Sequence, residues 1–176
     1  MPPPGLLRRA LAEGLAAFAL VFAGCGAIVT DAVRDGALGA TGVAGVFGLI
    51  IVVMIYATGH LSGAHINPAV TIAFTLTRHF PPRDALAYVV AQLVGASAGA
   101  LVLLAAWSAK PAALGATVPS AASGTALLYE FFMSALLMFV IVAVATPGRW
   151  EPPRRSRSGE PSRWMRSSAA RSPVRR

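Results

Sequence analysis

Gly59-His60-Leu61-Ser62-Gly63-Ala64-His65-Ile66-Asn67-Pro68-Ala69-Val70-Thr71 breaks a long apolar stretch without supplying a polar loop. It follows the uncharged run of residues 40–59 and leads into apolar sequence that lasts to Thr77. One helix over residues 40–77 would be about 57 Å long, well beyond the ~30 Å hydrocarbon core of a bilayer. Two full spans and a turn do not fit either. The arrangement predicts a span followed by a re-entrant segment, which enters the membrane as irregular backbone and returns as a half-length helix. Asn is a strong N-cap and Pro suits the first helical position, so Asn67-Pro68 starts this helix and it ends near Thr77. About ten residues give about 15 Å, so the helix starts near the midplane with the positive end of its dipole there.

Before Asn67, the small residues Gly63 and Ala64 permit close backbone approach, and the carbonyls of Gly63, Ala64 and His65 have no helical partner. At that depth unpaired carbonyls are tolerated where protein surrounds them or where they line a water-filled path. A row of acceptors next to the Asn67 donor matches the hydrogen bonds of a passing water or hydroxylated solute.

Outward from this segment lie three more apolar runs: residues 6–30, 85–107 and 125–146. Each is long enough to span the hydrocarbon core as a helix. The chain has 176 residues, 56% apolar and 12% charged. Soluble domains carry about 25% charged residues, so an ordinary soluble domain is excluded. The fold class is an all-α membrane protein with four transmembrane helices and one re-entrant half-helix, residues 60–77. Gly95 and Gly99 in the third span form a Gly-x-x-x-Gly face suited to close helix contact.

Residues 1–146 carry six Lys and Arg against five Asp and Glu, whereas residues 147–176 carry nine Arg against two Glu. The basic pI of about 11.3 is thus a property of the tail, not of a folded nucleic-acid-binding face, and no nucleic-acid partner is expected. Arg8, Arg9, Arg78, Arg83 and the tail all fall on one side of the membrane. Cytoplasmic loops hold the excess of Lys and Arg, so both termini are placed in the cytoplasm, in the plasma (inner) membrane. Cys25 is the one cysteine, which leaves no disulfide within a chain; it reads as an inert buried thiol.

In this setting, residues 59–71 resemble the first Asn-Pro-Ala box of the aquaporin, or major intrinsic protein, family of water and small-solute channels. The resemblance implies an aquaporin-like fold, with a pore box of Asn67, Pro68 and Ala69 and passive single-file transport of water and small neutral solutes such as glycerol. It also implies a homotetramer in membrane lipid, and no cofactor. Phe47, twenty residues before Asn67, stands where an aromatic of the second span helps to form the family's constriction. Phenylalanine resembles the water-selective members, while the flanking residues look like the plant nodulin-like branch. Glu13 and Glu130 take the place of the family's carboxylates that hold re-entrant backbone. Each is followed by Leu seven and Phe nine residues later, at Leu20 and Phe22 and at Leu137 and Phe139, an internal repeat offset by 117 residues.

His60 and His65 lack the i, i+4 spacing and companion acids of a metal pair, so no metal is assigned. Ser62 near a histidine lacks a nucleophile turn and an orienting acid, so no enzyme is expected. The resemblance covers residues 6–146 and stops short of a fifth span, a second box and a sixth span, which makes the inverted repeat incomplete. By composition residues 147–176 form a basic, disordered tail. Read one base out of register with mostly G- and C-ending codons, the tail can encode an apolar span approaching a second box, as after a frame slip near Thr146 or Pro147. As written, the chain is expected to be truncated and non-conducting alone. The alternatives are a non-conducting assembly partner or pseudogene-like fragment, and a membrane-tethered binder of anionic lipid or nucleic acid through the tail.

Overall fold

The structure is a computed structural model and describes residues 4–145. Among these residues there are five α-helices, one short 3-10 turn and no strand. The helices are α1 (Leu6–Val33), α2 (Gly39–Ser62), α3 (Pro68–Leu76), α4 (Pro82–Ala106) and α5 (Ser123–Ala145). All but α3 are long and apolar enough to cross a membrane. Nine residues make α3 about half that length.

The chain divides into two compact units, residues 1–134 and 135–176. The first holds α1 to α4 and the start of α5; the described part of the second is the remainder of α5, residues 135–145. No residue of α5 is buried.

Element boundaries follow from where backbone groups find partners. The first span, expected over residues 6–30, extends further, and α1 continues through Thr30 and Asp31 to Val33. Asp31 is then placed to accept from the amides of Leu38 (2.8 Å) and Gly39 (2.9 Å), which have no intrahelical partner at the start of α2. The second span was predicted to end at Gly59, yet α2 runs to Ser62. Gly59 keeps helical geometry and its carbonyl accepts from the Gly63 amide at 2.9 Å. Gly63 ends the helix, with φ +90, a conformation that suits glycine. Helix α4 starts at Pro82 rather than residue 85, because Pro occupies its first position and Asp84 its first turn.

The core of the first unit is the α1–α4 contact. On α4 the buried residues are Asp84, Tyr88, Gln92, Gly95, Gly99 and Leu103, one stripe with helical spacing. Gly95 meets α1 so closely that a Cβ there would overlap the Gly14 carbonyl. At Gly99 a Cβ would sit 2.9 Å from the Phe18 carbonyl oxygen. Below the glycines the stripe turns polar, and Arg9 of α1 pairs with Asp84 at 2.6 Å while lying over the Tyr88 ring. The starts of α1 and α4 therefore share one end of the bundle. In the connector after α4, Ala112, Ala113 and Leu114 all have φ near +50 and form a left-handed turn whose Gly115 packs on Cys25. Cys25 is only partly buried.

Candidate functional site

The re-entrant segment is built around Glu13, a fully buried carboxylate in α1. Its Oε1 accepts from the Ser62 hydroxyl (2.6 Å) and the His65 amide (2.9 Å). Its Oε2 accepts from the Ile66 amide (2.6 Å) and the Gln92 side-chain amide (2.8 Å). Four donors thus fill the four acceptor positions of an ionised carboxylate. Backbone that turns through left-handed residues can aim neighbouring amides at one point and make a nest for an anion, and here left-handed Ala64 (φ +48) and Ile66 (φ +61) bracket His65. Such values in residues with a Cβ cost on the order of 1–3 kcal/mol each. Charge-assisted hydrogen bonds of about 1.5–3 kcal/mol apiece offset that strain.

Two side chains of α4 complete the support. The Tyr88 hydroxyl donates to the Ser62 carbonyl at 2.8 Å, holding the end of α2. Gln92 also reaches the hydroxyl of Thr71 on α3 at 3.0 Å, so one amide ties α1, α3 and α4 together. The His65 ring lies among Phe74, Phe80 and Tyr88, with centroids 4.9, 4.7 and 5.3 Å away. Behind the loop, Ile66 packs with Ala16 and Met54.

Asn67 caps α3 through Oδ1, which accepts from the Ala69 amide at 2.8 Å, and Pro68 takes the first helical position. Because the oxygen is engaged, the Nδ2 hydrogens point away from the helix, and among the described residues no acceptor takes them. The three carbonyls singled out from sequence are not equivalent. His65 oxygen accepts from the Asn67 amide at 2.7 Å, whereas among the described residues no donor reaches the oxygens of Gly63 or Ala64. Gly63 and Asn67 are exposed, Ala64 and His65 half-buried.

Phe47 is half-buried with its ring against Gly24 of α1, where a Cβ would overlap it. Glu130 is exposed on α5 and, unlike Glu13, touches no part of the loop. Among the described residues no cluster of three or more His, Cys, Asp or Glu could hold a metal. The basic tail and the reading-frame hypothesis concern residues outside those described.

Sequence reading passed over the parts played by Ser62, Thr71, Tyr88 and Gln92. The usable signal was Gln92, an amide inside an apolar span, with Tyr88 one turn before it on the same face.

A half-helix capped by Asn-Pro beneath a buried carboxylate, set among membrane-length helices, defines a polytopic integral membrane protein with a re-entrant loop. A family model described as major intrinsic protein matches residues 3–156, and the chain belongs to that family, the family of the aquaporins. It is 42% identical over 144 residues to probable aquaporin NIP4-2 of Arabidopsis thaliana, covering 82% of this chain and 51% of that protein. Aquaporin NIP1-4 of Oryza sativa subsp. japonica is 46% identical over 140 residues, 80% of this chain and 51% of its own length. Nodulin-26 of Glycine max is 42% identical over 145 residues, 81% and 53% of the two chains. The chain thus spans about half the length of the curated relatives it matches.

Proposed function

We propose that this chain is a subunit of a passive membrane channel for water and small neutral solutes such as glycerol. The observation that carries the reading is the loop itself: a buried carboxylate holds strained backbone just before the exposed start of a half-length helix, where among the described residues no partner takes the Gly63 and Ala64 carbonyls or the Asn67 amide hydrogens. Acceptors and a donor fixed in this way replace the hydration of a neutral solute, and the positive end of α3 disfavours cations. Phe47 is the aromatic that narrows the path above the loop, and Glu130 is the α5 counterpart of Glu13, awaiting a second re-entrant segment. The described residues contain one such segment, so the chain alone carries little or no flux. The loop offers no activated nucleophile, and we read no enzymatic activity in it.

Charge placement supports an orientation with Arg8, Arg9, Arg78 and Arg83 in the cytoplasm. The plasma membrane is the proposed location. The exposed apolar faces of α2 and α5 suit association with further copies in the membrane, as a homotetramer, and equally suit the second reading, co-assembly with a longer relative.

Stopped-flow shrinkage of vesicles tests the proposal. Vesicles carrying this chain alone shrink like protein-free ones. A chain continued after residue 145 with the second half of a full-length relative raises water flux, and Asn67→Asp, which keeps the cap oxygen but removes the donor, lowers it again. A grafted chain that does not conduct, or conducts without regard to Asn67, overturns the channel reading.

A further inference from the structure

We infer that Gln92 and Thr71 are positioning residues that hold the His65 imidazole in one neutral tautomer, with hydrogen on Nε2 and the lone pair on Nδ1. What this does for transport rests on the channel reading above; the tautomer itself follows from counting hydrogen bonds.

The count starts at Glu13. A carboxylate whose oxygens each already accept from two donors can only accept, so the face of Gln92 turned toward it at 2.8 Å must be the NH2 group. That fixes the orientation of the Gln92 amide. Its second hydrogen is directed at Thr71 Oγ1, 3.0 Å away. Thr71 therefore accepts from Gln92 and has one hydrogen left to give. Thr71 is fully buried, so no solvent takes it.

Three acceptors surround that hydrogen: His65 Nδ1 at 3.1 Å, the Asn67 carbonyl at 3.3 Å and Gln92 Oε1 at 3.4 Å. The Asn67 carbonyl already takes the Thr71 backbone amide at 3.1 Å. Gln92 Oε1 is the most distant and belongs to the amide that donates to the same hydroxyl. Nδ1 is the nearest and has no other partner among the described residues, so the hydroxyl donates to it and the ring hydrogen resides on Nε2. The aromatic rings of Phe74, Phe80 and Tyr88 hold the imidazole in that pose. Its Nε2 edge lies over Gly63, 3.7 Å from where a Cβ would stand.

Nε2–H is consequently a donor on the Gly63 side of the loop. With hydrogen on Nδ1 instead, the same edge would present another acceptor. The relay from Glu13 through Gln92 and Thr71 decides which of the two this edge offers to any solute that reaches it.

The test reads the tautomer directly. The full chain, labelled with 15N-histidine and carrying His60→Gln and His79→Gln at two exposed positions, leaves His65 as the sole signal. Long-range 1H–15N correlation at about pH 8, where an ordinary imidazole is neutral, distinguishes the two nitrogens. The expected result is a pyridine-type Nδ1 and a pyrrole-type Nε2. Thr71→Val and Gln92→Met abolish this single-tautomer signature, and Thr71→Ser, which restores the hydroxyl, keeps it. A pyrrole-type Nδ1 in the chain overturns the assignment without recourse to any relay variant, and a single tautomer that survives Thr71→Val overturns the positioning role of Thr71. If the Nε2–H signature stands and the grafted chain fails to conduct, the channel reading falls and the tautomer assignment does not.

Discussion

Glu13 shows how one side chain sets local backbone. Left-handed φ values at Ala64 and Ile66 are uphill for residues with a Cβ, and for β-branched Ile66 especially so. They persist because the His65 and Ile66 amides are both pinned to one carboxylate. Glu13→Gln keeps the volume but replaces one acceptor oxygen with a donor facing groups that themselves donate. Losing two charge-assisted bonds costs about 3–6 kcal/mol, roughly a 100- to 20,000-fold rise in local opening. Hydrogen exchange read at the His65 and Ile66 amides should accelerate by that factor while amides in the middle of α4 do not. Equal acceleration at both places would mean that Glu13 supports the bundle as a whole and not the loop. The residue type and its place in a span were readable from the sequence, and so was the need for something to hold unpaired backbone. The four donors were not, because they come from positions 49 to 79 residues away.

Helix α4 works as a graded wall, and its buried stripe explains what each position does. Asp84 meets Arg9 at the polar end, Tyr88 and Gln92 meet the loop, and Gly95 and Gly99 meet the backbone of α1. Lipid is as apolar as a leucine side chain, so membrane helices associate through close packing and polar contacts, and the glycines supply the first of these. Gly95→Ala puts a methyl into the Gly14 carbonyl and should destabilise the α1–α4 contact by about 1–3 kcal/mol. Gly48→Ala is the control: its Cβ would meet nothing within 4 Å, and removing a helical glycine should stabilise α2 by about 0.5–1 kcal/mol. Unfolding in mixed micelles followed by helicity distinguishes the two, and the expectation fails if both substitutions move stability in the same direction. The Gly95–Gly99 face was legible as a motif, as were the capping of α3 and the existence of every long helix. The end of α2 was misplaced because a glycine in a helical run reads as a stop, whereas Gly59 stays helical and the left-handed residue comes four positions later. Nothing in an Ala- and Pro-rich connector announces three consecutive left-handed residues at 112–114.

At the scale of the molecule, charge and packing point to the same topology from independent evidence. The loop Arg and Lys residues separate into Arg8, Arg9, Arg78 and Arg83 against Arg34 and Lys110, an asymmetry that depends only on sequence. The Arg9–Asp84 pair brings the starts of α1 and α4 together, which depends only on structure. An odd number of crossings between those two points would set them at opposite membrane faces. With α1 and α2 as two crossings and α3 entering and leaving on the same side, they meet at the same face, as the ion pair requires. The connector between α4 and α5 must then lie across the membrane from Arg83. With Cys25→Ala as background, Val118→Cys reports the connector and Arg83→Cys the first turn of α4; both native side chains are exposed. A thiol reagent that cannot cross the membrane should label Val118→Cys in intact cells, and Arg83→Cys only after the cells are opened. Labelling of both from outside would mean that α4, the long helix between them, does not cross the bilayer, and the span assignment on which this topology rests would have to be abandoned. Labelling of Arg83→Cys alone would mean either a reversed orientation, with the excess of positive charge outside, or complete crossing by residues 63–76; exposed Leu7→Cys is labelled from outside in the first case and not in the second.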